Sequence, residues 1–288
     1  MAFIDLKTGW QFSVNGTTEY PTASVIKLAV LATAYHLSEL GELDMGEKLT
    51  MRESDRLGGS GVLQWMKAGR AYTIWNLNRM MIVLSDNIAT KMLVDRIGMA
   101  QINNYMREID LKNTRLVDHT MLNEPPSSVI NVSTPLDMAY LVQRIKGGYG
   151  FSLNSSKDML SFMRNQRYRW GIWRGVVPGT IVADKTGNLD YILNDVGVVY
   201  SKSGNYILSI FTRNMKKREA RILINNISRV CYEEYTGEKV VGPKPVVRKK
   251  KKVILKRKLS RRPSVKSRPQ TGHRGAVSGR KLPTSPRR

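Results

Sequence analysis

Apolar residues follow two different rhythms along this chain, and the change of rhythm organises it. Residues 2–6 read as a strand, Lys7-Thr8-Gly9 as a turn, and residues 10–15 as the return strand. From about Ser24 to Leu40 the spacing predicts a helix that is apolar on nearly all sides, the pattern of a centrally buried helix, and Gly41 ends it. Residues 42–72 read as loop-rich, with Gly58-Gly59-Ser60-Gly61 among them. Helices are predicted over 74–84 and 88–97, with Ser85-Asp86-Asn87 at the break, and again over 99–109. A loop runs through 112–133, and Pro135 opens a helix to about Ile145. After a polar stretch, residues 178–185 read as a strand. Val196, Val198 and Tyr200 then alternate, as do Tyr206, Leu208 and Ile210, around a Ser203-Gly204-Asn205 hairpin turn. An amphipathic helix over 218–235 closes the pattern. Strands, a helical middle, strands and a last helix predict an α+β fold: an antiparallel sheet built from both chain ends, flanked by helices, with an all-helical insertion over about 42–175.

Charge changes this picture at one end only. The 288 residues carry a formal net charge of +24, yet residues 239–288 hold 19 of the 47 Lys+Arg and none of the 23 acids. Those fifty residues also hold six of the eleven prolines and the run Lys249–Lys252. They lack the apolar residues needed to offset their ordering entropy, so 1–238 is expected to be the folded domain and 239–288 a disordered basic tail. Such a tail attracts polyanions non-specifically, and without aromatic residues it has nothing to stack on bases. The 41% apolar fraction supports a real core. No run of eighteen apolar residues is present, and the first residues show neither a charged nor an apolar export region. The single cysteine, Cys231, excludes an intrachain disulfide and reads as a small residue on a buried helix face.

The candidate chemistry lies in three short motifs. Ser24 and Lys27 stand three residues apart, which places both side chains on one helix face. A lysine in so apolar a helix is desolvated, which lowers its pKa and frees it to act as a base, while the helix N-terminus favours developing negative charge. Ser85-Asp86-Asn87 puts three polar residues between two hydrophobic helices, more than a single helix cap needs. Lys185-Thr186-Gly187 follows Val182-Ala183-Asp184 at the expected end of a strand. Each motif alone is weak. A Ser-x-x-Lys is expected about once by chance in a chain this long, and here a second copy falls at Ser278–Lys281 in the tail, while a second Lys-Thr-Gly at Lys7–Gly9 belongs to the first turn. Order and context carry the signal.

In that order and context the chain resembles the class A β-lactamase and penicillin-binding-protein superfamily of serine hydrolases, from about Ala2 to Tyr235. The resemblance implies catalytic roles for Ser24, Lys27, Ser85 and Lys185. Ser24 would be the nucleophile that becomes acylated, Lys27 its base and Ser85 the proton relay to the leaving nitrogen. Lys185 would hold Ser85 and attract a substrate carboxylate. Asn87, Thr186, Gly187 and Asn188 would bind substrate, and the backbone N–H groups of Ser24 and Asn188 would form the oxyanion hole. No metal and no organic cofactor is implied. The implied partner is a small-molecule β-lactam or a peptidoglycan-like peptide, met by a monomer in the periplasm or outside the cell. Because no export signal is visible, the chain either begins late or lacks one.

The departures concern release of the acyl group. Class A enzymes carry a glutamate in a Glu-x-x-Leu-Asn loop to activate the deacylating water. If Leu122-Asn123 is the matching pair, His119 occupies that place, and Glu124 lies just beyond it; either is a candidate base. Asn188 stands where a small or hydroxylated residue is usual, and Tyr206 roughly where some members carry a carboxylate-binding arginine. Three readings follow: a β-lactamase, an amide or ester hydrolase of penicillin-binding type that releases slowly, and a vestigial site whose basic tail does the work.

Overall fold

The structure is a computed structural model and describes residues 1–120 and 130–241. The described chain forms a compact unit, Met1–Gly242. Its first strands are β1, Ala2–Asp5, β2, Gln11–Ser13, and β3, Tyr20–Pro21. A 3-10 turn, Ala23–Ile26, runs directly into helix α1, Lys27–Glu39. The insertion holds β4, Lys48–Thr50, β5, Ala71–Thr73, α2, Ile74–Val83, α3, Asn87–Ile97, α4, Met99–Glu108, β6, Val132–Ser133, α5, Pro135–Gly147, and α6, Leu153–Arg164. The return to the sheet is β7, Ile181–Leu189, β8, Ile192–Ser201, and β9, Gly204–Phe211, before α7, Lys217–Thr236.

Five strands form one antiparallel sheet in the order β2-β1-β9-β8-β7, so both chain ends build it, as the sequence implies. Alternation along the strands splits the core in two. Ala183, Val196, Val198 and Ile207 join the helical side, around α1. Val182, Leu193, Val199, Tyr206 and Leu208 face the other side, against α7. Ten of the thirteen residues of α1 are buried, which makes it the axis of the larger cluster and fits its all-round apolar sequence.

Three expectations are corrected. The stretch between Ile145 and Pro178, read as polar, contains helix α6: Met159, Phe162 and Met163 are buried while Leu153 is exposed, so its apolar stripe is too thin to register against its polar majority. The loop-rich 42–72 holds most of the β4–β5 ribbon, two short antiparallel strands whose Leu49 and Tyr72 pack on the core. The strand at Lys185 does not end there but runs on through the motif to Leu189. Of the basic stretch from 239 on, all but the first three residues lie outside the described residues, as do Leu122, Asn123 and Glu124.

Asn194 ties the sheet to the start of the 3-10 turn. Its Nδ2 donates to Pro21 O at 2.8 Å and Thr22 O at 3.1 Å, and its Oδ1 accepts from Thr212 N at 3.0 Å. Thr22 is also held from the other side, its N–H and hydroxyl both donating to Asn131 O. Asn194→Ala strips partners from buried backbone groups on two segments, so it is expected to lower unfolding free energy by about 2–3 kcal/mol in urea melts; a loss below about 0.5 kcal/mol would show that the clamp is not needed.

Candidate active site

Three segments converge on one point. The 3-10 turn brings Ser24, α1 begins with Lys27, the α2–α3 break brings Ser85 and Asn87, and β7 brings Lys185. Lys27 Nζ, fully buried, lies 2.7 Å from Ser85 O, 3.2 Å from Ser85 Oγ and 2.8 Å from Asn87 Oδ1. Lys185 Nζ, also fully buried, lies 3.1 Å from the same Ser85 Oγ and donates to Thr186 O at 2.8 Å. Ser24 is half-buried and opens, with Ser60, Ser85, Tyr168, Trp170, Thr186 and Asn188, onto a narrow cleft.

The local sequence explains how these groups are held. Asp86 caps α3 by accepting from Ala89 N at 3.0 Å, and its other oxygen accepts from Val62 N at 2.7 Å and Leu63 N at 2.9 Å, locking the glycine-rich loop against the break. Gly61 makes this approach possible: at φ +112° an added Cβ would fall 2.2 Å from the Asp86 carboxylate. Gly187 has the same role on β7, where a Cβ would sit 2.6 Å from Thr22 O. Thus Asp86 of the Ser-Asp-Asn motif fastens a loop, and Gly187 of the Lys-Thr-Gly motif leaves room for the Thr22 carbonyl. Ala23 (φ +47°) and Ser85 (φ +54°) adopt left-handed backbone, a strain of about 1–2 kcal/mol each for residues with a Cβ. Both lie in the site, one beside the nucleophile candidate and one carrying the candidate relay hydroxyl.

Electrostatics favour a neutral amine at Lys27. Burial holds it well below the ordinary lysine range and the Lys185 charge pushes the same way, with Asp86 opposing. Lys185 is pushed down to about 7, again by burial, against the pull of Asp184 and Asp195. A neutral Lys27 has two hydrogens and one lone pair. Ser85 O and Asn87 Oδ1 can only accept, so they take the hydrogens, and the lone pair is left to hydroxyls. Ser85 Oγ, accepting from Lys185, can therefore direct its own proton toward Lys27. The arrangement is a hydrogen-bonded path that joins the two amines through one hydroxyl.

Sequence reasoning did not single out a pair of acids behind this path. Asp184 and Asp195 are both buried on the sheet face opposite Lys185. Among the described residues three of their four carboxyl oxygens have no donor, and Asp195 Oδ2 accepts from Ile172 N at 2.7 Å. Burial raises both, and the Asp195 carboxyl raises Asp184 further. A proton shared between the two carboxyls serves one oxygen of each, two of the three orphaned oxygens. No spacing rule reveals the pair, since only the register of β7 on β8 brings the two residues together. Gln166 is another member without a sequence signal: it accepts from Thr186 Oγ1 at 2.6 Å and donates to Asp184 O at 3.1 Å.

The remaining candidates separate. Asn87 and Thr186 join the cluster, and Asn188 lines the cleft with its side chain exposed. His119 is half-buried, does not line the cleft, and has no hydrogen bond to Ser24, Lys27, Ser85 or Lys185 among the described residues. Tyr206 is corrected: it does not face the site but is buried on the α7 side, stacked on Phe3 at 4.9 Å between centroids, because its strand position points the other way. Cys231 is half-buried against the same α7-side cluster.

A model of the beta-lactamase enzyme family matches residues 1–235, which contain every residue of this cluster. The chain belongs to the beta-lactamase enzyme family. Beta-lactamase BRO-1 of Moraxella catarrhalis is 24% identical over 204 residues, 69% of this chain and 65% of that protein, so the chain spans about two thirds of this curated relative. A beta-lactamase structure from Sphaerobacter thermophilus aligns with TM-score 0.77 and 26% identity over 81% of this chain and 90% of that one. PBP-A aligns with TM-score 0.75 and 28% identity over 82% and 89%, and one structure of a PBP-A mutant is an acyl-enzyme complex with penicillin G.

The shared-proton acid pair makes a prediction about stability. Between the ordinary aspartate value of 3.8 and the raised value of about 6 at Asp195, the folded pair keeps a proton that the unfolded chain releases. The unfolded state then binds fewer protons, so this pair's contribution to stability falls as pH rises through that window. Asp184→Asn removes the shared titration. Its stability relative to the unsubstituted protein, measured by urea unfolding from pH 4 to 6.5, should rise with pH; a flat difference would show that the pair shares no proton.

Proposed function

We propose that this chain is a serine hydrolase that opens the amide of a β-lactam through an acyl-enzyme on Ser24. The observation carrying this reading is that one hydroxyl, Ser85 Oγ, stands within 3.2 Å of two buried lysine amines. Ser24 Oγ attacks the lactam carbonyl, forming the C–O bond, and its proton passes to the neutral Lys27 amine. The resulting oxyanion is met by backbone N–H groups of Ser24 and Asn188 at the cleft. As the C–N bond breaks, the proton moves from Lys27 through Ser85 to the leaving nitrogen, and Lys185 holds Ser85 in place while attracting the substrate carboxylate. Thr186 and Asn87 bind the rest of the substrate. Water then releases the acyl group and restores Ser24.

A second reading concerns that last step: acylation with slow release, as in a penicillin-binding amide or ester hydrolase. The position of His119 outside the cleft supports it, as does the 28% identity to PBP-A.

Mass spectrometry after mixing with a penicillin tests both. A penicilloyl adduct is expected, confined to Ser24 and absent from Ser24→Ala. No adduct would overturn the acylation reading. Loss of the adduct within seconds supports the hydrolase with turnover, and persistence for hours supports slow release. Lys27→Ala should slow acylation by about 10²–10⁴-fold, the usual range for a lost general base. His119→Ala should leave the rate of adduct loss unchanged; slower loss would make His119 the deacylating base.

A further inference from the structure

The connection from α6 to β7 has two sides. On one, Tyr168 and Trp170 wall the Ser24 cleft. On the other lies a separate pocket of about 490 Å³, lined by Ser161, Arg164, Asn165, Arg169, Trp173 and Thr180, at the end of β7 remote from Asn188. No carboxylate lines it among the described residues. Arg169 lies over one part of the Trp173 ring at 5.6 Å, and Arg174 approaches the same ring at 5.5 Å. The Arg169 guanidinium donates to Arg164 O at 2.8 Å, which fixes its place at the rim. The Arg164 guanidinium has neither an ion-pair partner nor a hydrogen-bond acceptor among the described residues.

Elsewhere in the fold Arg56 pairs with Glu53, Arg96 with Glu47 and Arg115 with Glu19. Arg164, Arg167, Arg169 and Arg174 lie within eleven residues of one another, and none forms an ion pair among the described residues. Arg164 and Arg169, the two of these that line the concave site beside Trp173, raise the local potential there and draw anions. Arginine is also the side chain best suited to forked hydrogen bonding with oxyanions, and an indole face beneath it limits its motion.

We propose that this pocket is a second binding site, distinct from the Ser24 cleft, for a ligand bearing at least two oxyanion groups that bridges Arg164 and Arg169 beside Trp173. The neutral hydrogen-bonding groups of Asn165, Ser161 and Thr180 suit the oxygens between those groups. Phosphate and carboxylate share this chemistry. The site does not depend on the acylation chemistry, and its test is made without it.

The full chain carrying Ser24→Ala is titrated separately with inorganic pyrophosphate and with tricarballylate, followed by tryptophan fluorescence and by heat of binding. Saturable binding of at least one is expected, with a fluorescence change that Trp173→Phe abolishes while the heat remains. The tighter probe assigns the oxyanion type. Arg164→Gln with Arg169→Gln should weaken binding at least tenfold. Arg164→Gln alone, whose guanidinium has no partner to lose, should weaken it at least threefold at an unchanged unfolding midpoint. Replacing Lys249–Lys252 with serine should leave binding in place. Failure of both probes to saturate, equal affinity in the arginine variants, or loss of binding with the tail lysines would overturn the proposal.

Discussion

Two lysine amines and one hydroxyl share a dry space at the junction of helix and sheet, and everything near them is arranged to make that tolerable. A buried ammonium is costly unless fully hydrogen-bonded. Lys27 meets this demand by finding three oxygens, all from Ser85 and Asn87, and by losing its proton readily. Lys185 finds the Ser85 hydroxyl and the Thr186 carbonyl. Because both amines converge on Ser85 Oγ, their mutual repulsion depresses Lys27 further. The same burial that is unfavourable for folding thus generates the base on which the proposed chemistry depends.

Holding this junction is the work of residues with no direct chemical part. Asp86 fastens the glycine-rich loop and the start of α3. Asn194 and Asn131 grip Thr22 from opposite sides, just before the left-handed Ala23. Gly61 and Gly187 leave room for these approaches. The strain at Ala23 and Ser85 persists because neighbouring contacts over-determine it. On the far side of β7, Asp184 and Asp195 lie beneath Lys185, so that a shared proton on one sheet face and a low amine pKa on the other belong to one electrostatic unit.

Much of this was legible in the residues themselves. The all-round apolar sequence after Ser24 foretold the central helix, and the alternation in β8 and β9 foretold the hairpin. The order of the three motifs brought Ser24, Lys27, Ser85, Asn87 and Lys185 to one place. What stayed hidden depends on long-range register or on thin patterns. Asp184 meets Asp195 only through strand pairing, Gln166 reaches Thr186 only because α6 packs on β7, and α6 itself has too few apolar residues to register. Tyr206 was misplaced because a one-residue change of parity moves a side chain to the opposite sheet face. The arginine-rich connection went unnoticed because its charges are modest beside those of the tail.

The central claim is that Lys27 is a neutral amine at the pH where the site works. It is tested most directly by NMR titration of lysine side chains labelled with carbon-13 at Cε, with Lys27 assigned through Lys27→Arg. The account predicts a Lys27 signal that titrates well below the ordinary lysine value of 10.5, with Lys185 titrating near pH 7. A Lys27 signal that stays in the ammonium position up to the ordinary lysine value of 10.5 would contradict it.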